Sequence, residues 1–201
     1  MSHGIGVEII TNANACSFSS KLNMIFTETT LQGVFIIEPE LLEDDRGFFT
    51  CLWSREEFSR HGLNGRVVQA NVSFNKQRGT LRGLHFQIEP HQEAKLVRCT
   101  AGAIYDVVVD LRENSPLFRH WIAVELTSRN RLMLYVPEGF AHGFQTLEDD
   151  TEIAYQLSEY YYPESARGVR WDDPALSIEW PLPVTVLSER DREHPLLLIS
   201  R

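Results

Sequence analysis

TLRGLHFQIEPHQEAKLVRCT, residues Thr80 to Thr100, carries Arg82, His85, Gln87, Glu93, Lys95 and Arg98 on or around two segments that read as strands. So many titratable side chains on alternating β structure indicate the inside of a barrel that holds a charged small molecule, not a packed core. In LRGLHFQ, strict alternation puts Arg82, Leu84 and Phe86 on one face and Gly83, His85 and Gln87 on the other. A bulge at Gly83 would instead bring Arg82 and His85 together.

Outward from this stretch, short apolar or alternating runs recur from Gly33 onward: GVFIIE, GFFTCLW, RVVQANVSF, AIYDVVVDL, RHWIAVEL, RLMLYVP, HGFQTL and TEIAYQLS. Turn signals such as EDDRG, RGT, TAG, ENSP and PEG separate them. Only Ser54 to His61 (SREEFSRH) reads as helix, so the pattern predicts an all-β sandwich or barrel. Residues 1–30 are rich in Ser, Thr and Asn and lack a period, which reads as a flexible arm, with Met24 a candidate start of the fold. Residues 31–201 read as one domain. Its Pro-rich tail from Tyr161 is expected to wrap the barrel as short helices and loops.

The composition limits the alternatives. A chain of 201 residues with 43% hydrophobic residues can bury one core. A net charge of −9 argues against nucleic acid or an anionic membrane as partner, because both are bound through surplus Lys and Arg. A bound phosphate must therefore be met by local cations. Cys16, Cys51 and Cys99 form no CxxC pair, so neither a disulfide framework nor a zinc finger is expected. No apolar run approaches the roughly 18 residues of a membrane span, and the first residues lack the pattern of a signal peptide. A soluble cytoplasmic protein is the expectation.

Two chemistries compete for the Thr80 to Thr100 stretch. PEGFAH, Pro137 to His142, matches the second half of the metal-binding cupin pattern. Its first half would be His85, Gln87 and Glu93, where the second imidazole is missing and nearby cations oppose a divalent ion. The second chemistry is proton transfer beside a carbonyl. A lone strand histidine is ordinarily a hydrogen-bonded structural residue, but His85 has Arg82 and Lys95 for company, two cations on what read as neighbouring apolar strands, and they call for an anion. A histidine can take a proton from carbon if a carboxylate orients it and a cation stabilises the enolate oxygen. Asp191 or another carboxylate suits the first role and Lys95 the second. TEIAYQLSEYYYP offers Tyr155, Tyr160, Tyr161 and Tyr162 to return a proton, although aromatic packing at a barrel mouth accounts for at least two of the four.

RGFF, VQANVSFNKQRGTLRGLHFQ, AKLVRC, YDVVVDLR, VPEGFAHGF, AYQLSEYY, WDDP, IEWP and SERDREHPLL, in this order, resemble the dTDP-4-dehydrorhamnose 3,5-epimerase family over about Gly33 to Leu197. The resemblance implies a cupin double-stranded β-helix, or jelly roll, with no metal and no cofactor. It also implies a homodimer whose amino-terminal strands are exchanged. The implied substrate is a nucleotide-diphosphate-4-keto-6-deoxyhexose, inverted at carbon 3, carbon 5 or both, in deoxysugar synthesis such as that feeding lipopolysaccharide.

The roles follow residue by residue. His85 matches the general base, Asp191 its carboxylate partner, Tyr155 the general acid for the opposite face and Lys95 the cation at the keto oxygen. Arg82 and Arg46 match groups around the diphosphate and sugar, with Arg46 reaching the partner's site. Gln69 and Asn71 match the pair lining the site, and His142 the histidine of PEGFAH. Arg190 stands where the family often has lysine, and Tyr161 is a candidate to stack on the nucleobase. Three positions depart from the family pattern: Cys51, Ala70 and Ala166 stand where acids are usual. Losing a carboxylate acceptor changes which base is read, so a CDP- or GDP-linked sugar, or inversion at one carbon only, enters as an alternative. A metal-dependent cupin enzyme and a non-catalytic sugar-nucleotide binder complete the set.

Overall fold

The computed structural model of the chain describes residues 23–197. Most of the expected amino-terminal arm, residues 1–22, lies outside the described residues, as do residues 198–201. Among the described residues, thirteen strands and two short helices follow one another. They are β1 (Met24–Glu28), β2 (Phe35–Pro39), β3 (Leu42–Asp44), β4 (Gly47–Phe49), α1 (Arg55–Arg60), β5 (Gln69–Asn75), β6 (Leu81–Gln87) and β7 (Lys95–Ala101). After them come β8 (Ala103–Asp110), β9 (Trp121–Thr127), β10 (Met133–Val136), β11 (Phe140–Thr146), β12 (Thr151–Leu157), β13 (Ala166–Gly168) and α2 (Glu189–Arg192).

The strands form a six-stranded sheet, β1-β2-β10-β7-β12-β5, a five-stranded sheet, β13-β6-β11-β8-β9, and the separate β3-β4 hairpin. Every pairing between named strands is antiparallel. The expected all-β jelly roll of the cupin type is what the chain adopts. Between the sheets, Val97, Ile104, Val108, Leu126, Leu134, Val136, Phe140 and Ile153 form the inner core. Outside the six-stranded sheet, Met24, Ile37, Leu96, Met133 and Tyr135 pack against Phe58 of α1. That helix starts at Ser54, whose hydroxyl accepts the Glu57 N–H; it carries Glu56 and Glu57 in its first turn and Arg60 in its last. Outside the five-stranded sheet, Leu84, Val107 and Val109 are covered by Val169, Leu176, Ile178 and Trp180 of the tail.

Four expectations need correction. Met24 to Glu28, placed in the arm, is strand β1, because Met24 and Phe26 bury an alternating face against Ile37 and Phe58. That alternation is too short to stand out among the Ser, Thr and Asn around it. The tail contributes a strand as well as loops, since β13 pairs with β6. GFFTCLW forms strand only over Gly47–Phe49, after which Cys51, Leu52 and Trp53 turn into the cluster under α1. Most consequential for the site, β6 and β7 are not neighbours. They belong to opposite sheets, so the stretch from Thr80 to Thr100 crosses the barrel and supplies both walls.

The expected bulge lies in β6. His85 pairs with His142 and Arg82 with Phe144, so Gly83 and Leu84 stand opposite Gly143 alone. Arg82 and His85 thereby face the barrel interior together while Leu84 enters the outer cluster. Glycine is required on both strands. A Cβ on Gly83 (φ +128°) would lie 2.6 Å from the Gly143 Cα, and one on Gly143 would lie 2.7 Å from the Arg82 carbonyl oxygen. Both distances are shorter than any real contact, so Gly143→Ala should destabilise by about 1–3 kcal/mol, the usual cost of overpacking. Chemical denaturation would measure it; an unchanged unfolding midpoint would show that the close approach is not needed.

Candidate active site

A cavity of about 460 Å³ opens between the sheets. Of the residues singled out from the sequence, Gln69, Asn71, Arg82, His85, Lys95, His142, Tyr155, Tyr161 and Arg190 line it. Asp191 lies just behind His85. Of those given a catalytic or binding role, only Arg46 is elsewhere: it sits at the tip of the β3-β4 hairpin, paired with Asp44, its side chain 89% exposed.

The wall formed by β6 and β11 holds two histidine–carboxylate pairs side by side. His85 Nε2 is 2.6 Å from Asp191 Oδ1. Its cross-strand neighbour His142 has Nε2 2.6 Å from Asp106 Oδ1 on β8. Asp191 arrives from α2, a single turn of helix set by Ser188, whose hydroxyl accepts the Asp191 N–H. The buried carboxylate also takes the Gly83 N–H at 3.3 Å. Burial pulls its pKa upward, but the hydrogen bond and charge of His85, with the Gly83 N–H, hold it below the ordinary carboxylate value. Asp191 therefore stays ionised beside His85 and leaves the ring's Nδ1 as the nitrogen for external proton transfer.

On the facing sheet, Tyr155 projects from β12 and Gln69 and Asn71 from β5, with the Gln69 amide donating to Asn71 at 2.9 Å. Lys95 opens β7 and reaches across, donating to the His85 carbonyl at 3.2 Å. The sequence left its counter-ion unassigned; it is Glu93, 3.1 Å away and as deeply buried. Arg82 has a neutral partner instead, donating to the Asn75 side chain at 2.7 Å. Arg82, Arg167 and Arg190 around one cavity leave positive charge for an anionic ligand, in a chain that is acidic overall.

Of the four tyrosines, Tyr155 and Tyr161 line the cavity, Tyr160 is exposed, and Tyr162 stacks on His91 with ring centroids 3.5 Å apart. The mixed metal set drawn from the cupin pattern is not assembled, since each donor is engaged elsewhere. His85 and His142 hold carboxylates, Glu93 holds Lys95, and the Gln87 amide donates to Glu93 and to the His91 and Tyr160 carbonyls. The departures from the family pattern separate in space. Ala166 lines the cavity, whereas Ala70 lies on the outer face of β5 and Cys51 donates its Sγ–H to the Trp53 carbonyl under α1.

Asp106 and His194 were not read from the sequence. Asp106 had a signal, a charge in the middle of the apolar run AIYDVVVDL. His194 had only its place three residues after Asp191 in SERDREH.

Comparison with known proteins agrees with this arrangement. Residues 28–198 match the family model described as dTDP-4-dehydrorhamnose 3,5-epimerase. A protein of that name from Methanothermobacter thermautotrophicus is 46% identical over 182 residues, covering 86% of this chain and 97% of its own. Among solved structures, the dTDP-4-dehydrorhamnose 3,5-epimerase of Bacillus anthracis with TDP and PPi bound is 44% identical, with a TM-score of 0.84 over 87% of this chain and all of its own. A Legionella pneumophila dTDP-6-deoxy-D-glucose-3,5-epimerase in complex with dTDP-4-keto-L-rhamnose is 39% identical, with a TM-score of 0.81 over 87% of this chain and 93% of its own. A match across nearly all the described residues, together with the shared barrel, shows that the chain belongs to the dTDP-4-dehydrorhamnose 3,5-epimerase family.

Proposed function

We propose that this chain is a cytoplasmic isomerase that epimerises a dTDP-linked 4-keto-6-deoxyhexose at carbons 3 and 5. The observation that carries the reading is the His85–Asp191 pair on one sheet, facing Tyr155 on the other, with Lys95 reaching between them. A ketone at carbon 4 acidifies the hydrogens on both neighbouring carbons. His85 takes one as a proton through Nδ1, and ionised Asp191 stabilises the imidazolium that forms. The electron pair moves to the keto oxygen, where the Lys95 ammonium stabilises the enolate. Tyr155 returns a proton from the opposite face, inverting the centre; solvent then reprotonates Tyr155 and removes the proton from His85. A ring flip presents the second carbon to the same groups.

Arg82 and Arg190 bind the diphosphate, His142, Gln69 and Asn71 hold the sugar, and half-exposed Tyr161 stacks on the base. The residues present account for the chemistry without a metal or cofactor. The relatives with TDP or a dTDP-sugar bound support the nucleotide. Only Ala166 among the three departures removes an acceptor from this chain's cavity. The working unit is a homodimer in which the amino-terminal strands serve the neighbouring site through Arg46. Supporting this, the β3-β4 hairpin pairs with neither sheet, Phe48 and Phe49 on it are exposed, and so are Val72 and Phe74 on the outer face of β5.

In deuterated water, a dTDP-4-keto-6-deoxy sugar should acquire deuterium at carbons 3 and 5, and His85→Ala should lower exchange by at least about 100-fold with binding retained. A panel of dTDP, CDP and GDP sugars under metal-free conditions tests the nucleotide; no exchange with any of them would refute the reading. Tyr155→Phe should leave washout of the substrate proton while blocking formation of the epimer. Exchanged hairpins predict complementation. Mixing inactive Arg46→Ala with inactive His85→Ala should restore about a quarter of wild-type activity, since half the dimers are mixed and each holds one complete site. No recovery on mixing would place Arg46 in its own subunit's site or outside catalysis.

A further inference from the structure

His194 lies beside the proton-abstracting pair and takes no part in the mechanism above. Its ring is seated in the tail just after α2, its side chain 11% exposed. Nε2 points at Asp191 Oδ1, the same oxygen that meets His85, from 3.5 Å. The contact is longer than a formed hydrogen bond, and this buried nitrogen has no hydrogen-bond partner, so a small approach of the ring would let it donate to that oxygen. The rings of His85 and His194 meet edge to face, their centroids 5.5 Å apart and their planes at 79°. Space for the second ring depends on Gly168 of β13, because a Cβ there would collide with it.

One carboxylate thus serves two imidazoles. An oxygen with two lone pairs can accept from both, but the protonation of either ring weighs on the other. We propose that His194 is a positioning residue for the base: its Nε2–H braces Asp191 Oδ1 and, by drawing on that carboxylate, sets the basicity of His85. The proposal rests on the epimerase reading only where activity is the readout. Burial and the charge of protonated His85 hold His194 below the ordinary histidine value, so it stays a neutral donor where the enzyme works. The other charged and titratable groups of the cavity are Arg190 on α2, Arg167 on β13, Arg82 and the His142–Asp106 pair on the β6 side, and Lys95 with Glu93, Tyr155 and Tyr161 opposite. They are the same in every variant below.

The sign follows from the shared oxygen. Without His194, Asp191 loses a neighbour that competes with His85, which leaves more of the carboxylate's charge to the His85 imidazolium. The change favours the protonated form of His85. His194→Ala should therefore move the acid limb of the pH profile of kcat/KM upward by about half a unit. It should also lower kcat about five- to tenfold with KM unchanged, the scale of one ordinary hydrogen bond. His194→Gln, which keeps an N–H donor, should restore kcat and move the limb back. Gly168→Ala, which displaces the ring without removing it, should behave like His194→Ala, and serves if the alanine variant does not fold.

Imidazole NMR titration of the ligand-free protein reads the His85 pKa directly and needs no substrate. If wild-type protein exchanges no deuterium but the His85 titration moves as stated in the variants, the epimerase reading fails and the role of His194 stands. An unmoved His85 titration and acid limb in both His194→Ala and Gly168→Ala would overturn the proposal. So would a loss of kcat that glutamine does not rescue, because a ring that only fills space gives that result.

Discussion

Between Arg82 and His85 the β6 strand carries two residues where β11 offers one, and the backbones close on each other at Gly83 and Gly143. Much of the site depends on this local constraint. A regular ladder would turn Arg82 and His85 to opposite faces, one into the barrel and the other into the outer core. The extra residue turns both inward and sends Leu84 outward to anchor the tail, through paired backbone hydrogen bonds with Val169. It also leaves the Gly83 N–H free to point at Asp191. One irregularity thus positions His85, the neighbouring cation and a donor to the carboxylate of Asp191.

The two sheets divide the work. Histidine–carboxylate pairs occupy the five-stranded sheet, while the tyrosine, the amides and the lysine come from the six-stranded one. A ligand between them meets groups on both faces at once, which an inversion requires. Charge is handled unevenly. Lys95 and Glu93 neutralise each other in a buried pair, and breaking such a pair by removing one member usually costs about 3–5 kcal/mol. Arg82 is left with an uncharged partner and so remains available to an anion. An acidic protein can in this way present a local positive field where a diphosphate would lie.

The carboxyl-terminal tail does more than cover the sheet. Trp121 and Trp180 donate their indole N–H groups to tail carbonyls, of Leu176 and Trp171, and the Val186 carbonyl accepts the Leu81 N–H. These contacts hold the turn from which α2 presents Asp191 to a strand more than a hundred residues away in sequence. The site is therefore complete only once the tail has docked, which ties His85 and its carboxylate partner to the last described segment of the fold.

By itself the sequence determined the all-β pattern and the helix over Ser54 to His61, because periodicity is a local signal, and charge within apolar runs marked Arg82, His85 and Lys95. The family resemblance added Gln69, Asn71, His142, Tyr161 and Arg190, while Ser73, Phe144, Ile153, Leu157 and Arg167 of the lining carried no signal. Tertiary structure alone decided which groups meet. β6 and β7 look like adjacent strands of one wall until the jelly-roll connection sends them to opposite sheets, a matter of topology that no spacing encodes. Lys95 reaches the His85 carbonyl across the barrel, His142 finds Asp106, and the carboxylate of Asp191 lies between His85 and His194; each of these meetings is set by packing and not by nearness along the chain. The departures at Cys51, Ala70 and Ala166 are equivalent as letters. Only the direction in which each strand or turn faces leaves Ala166 in the cavity and the other two outside it.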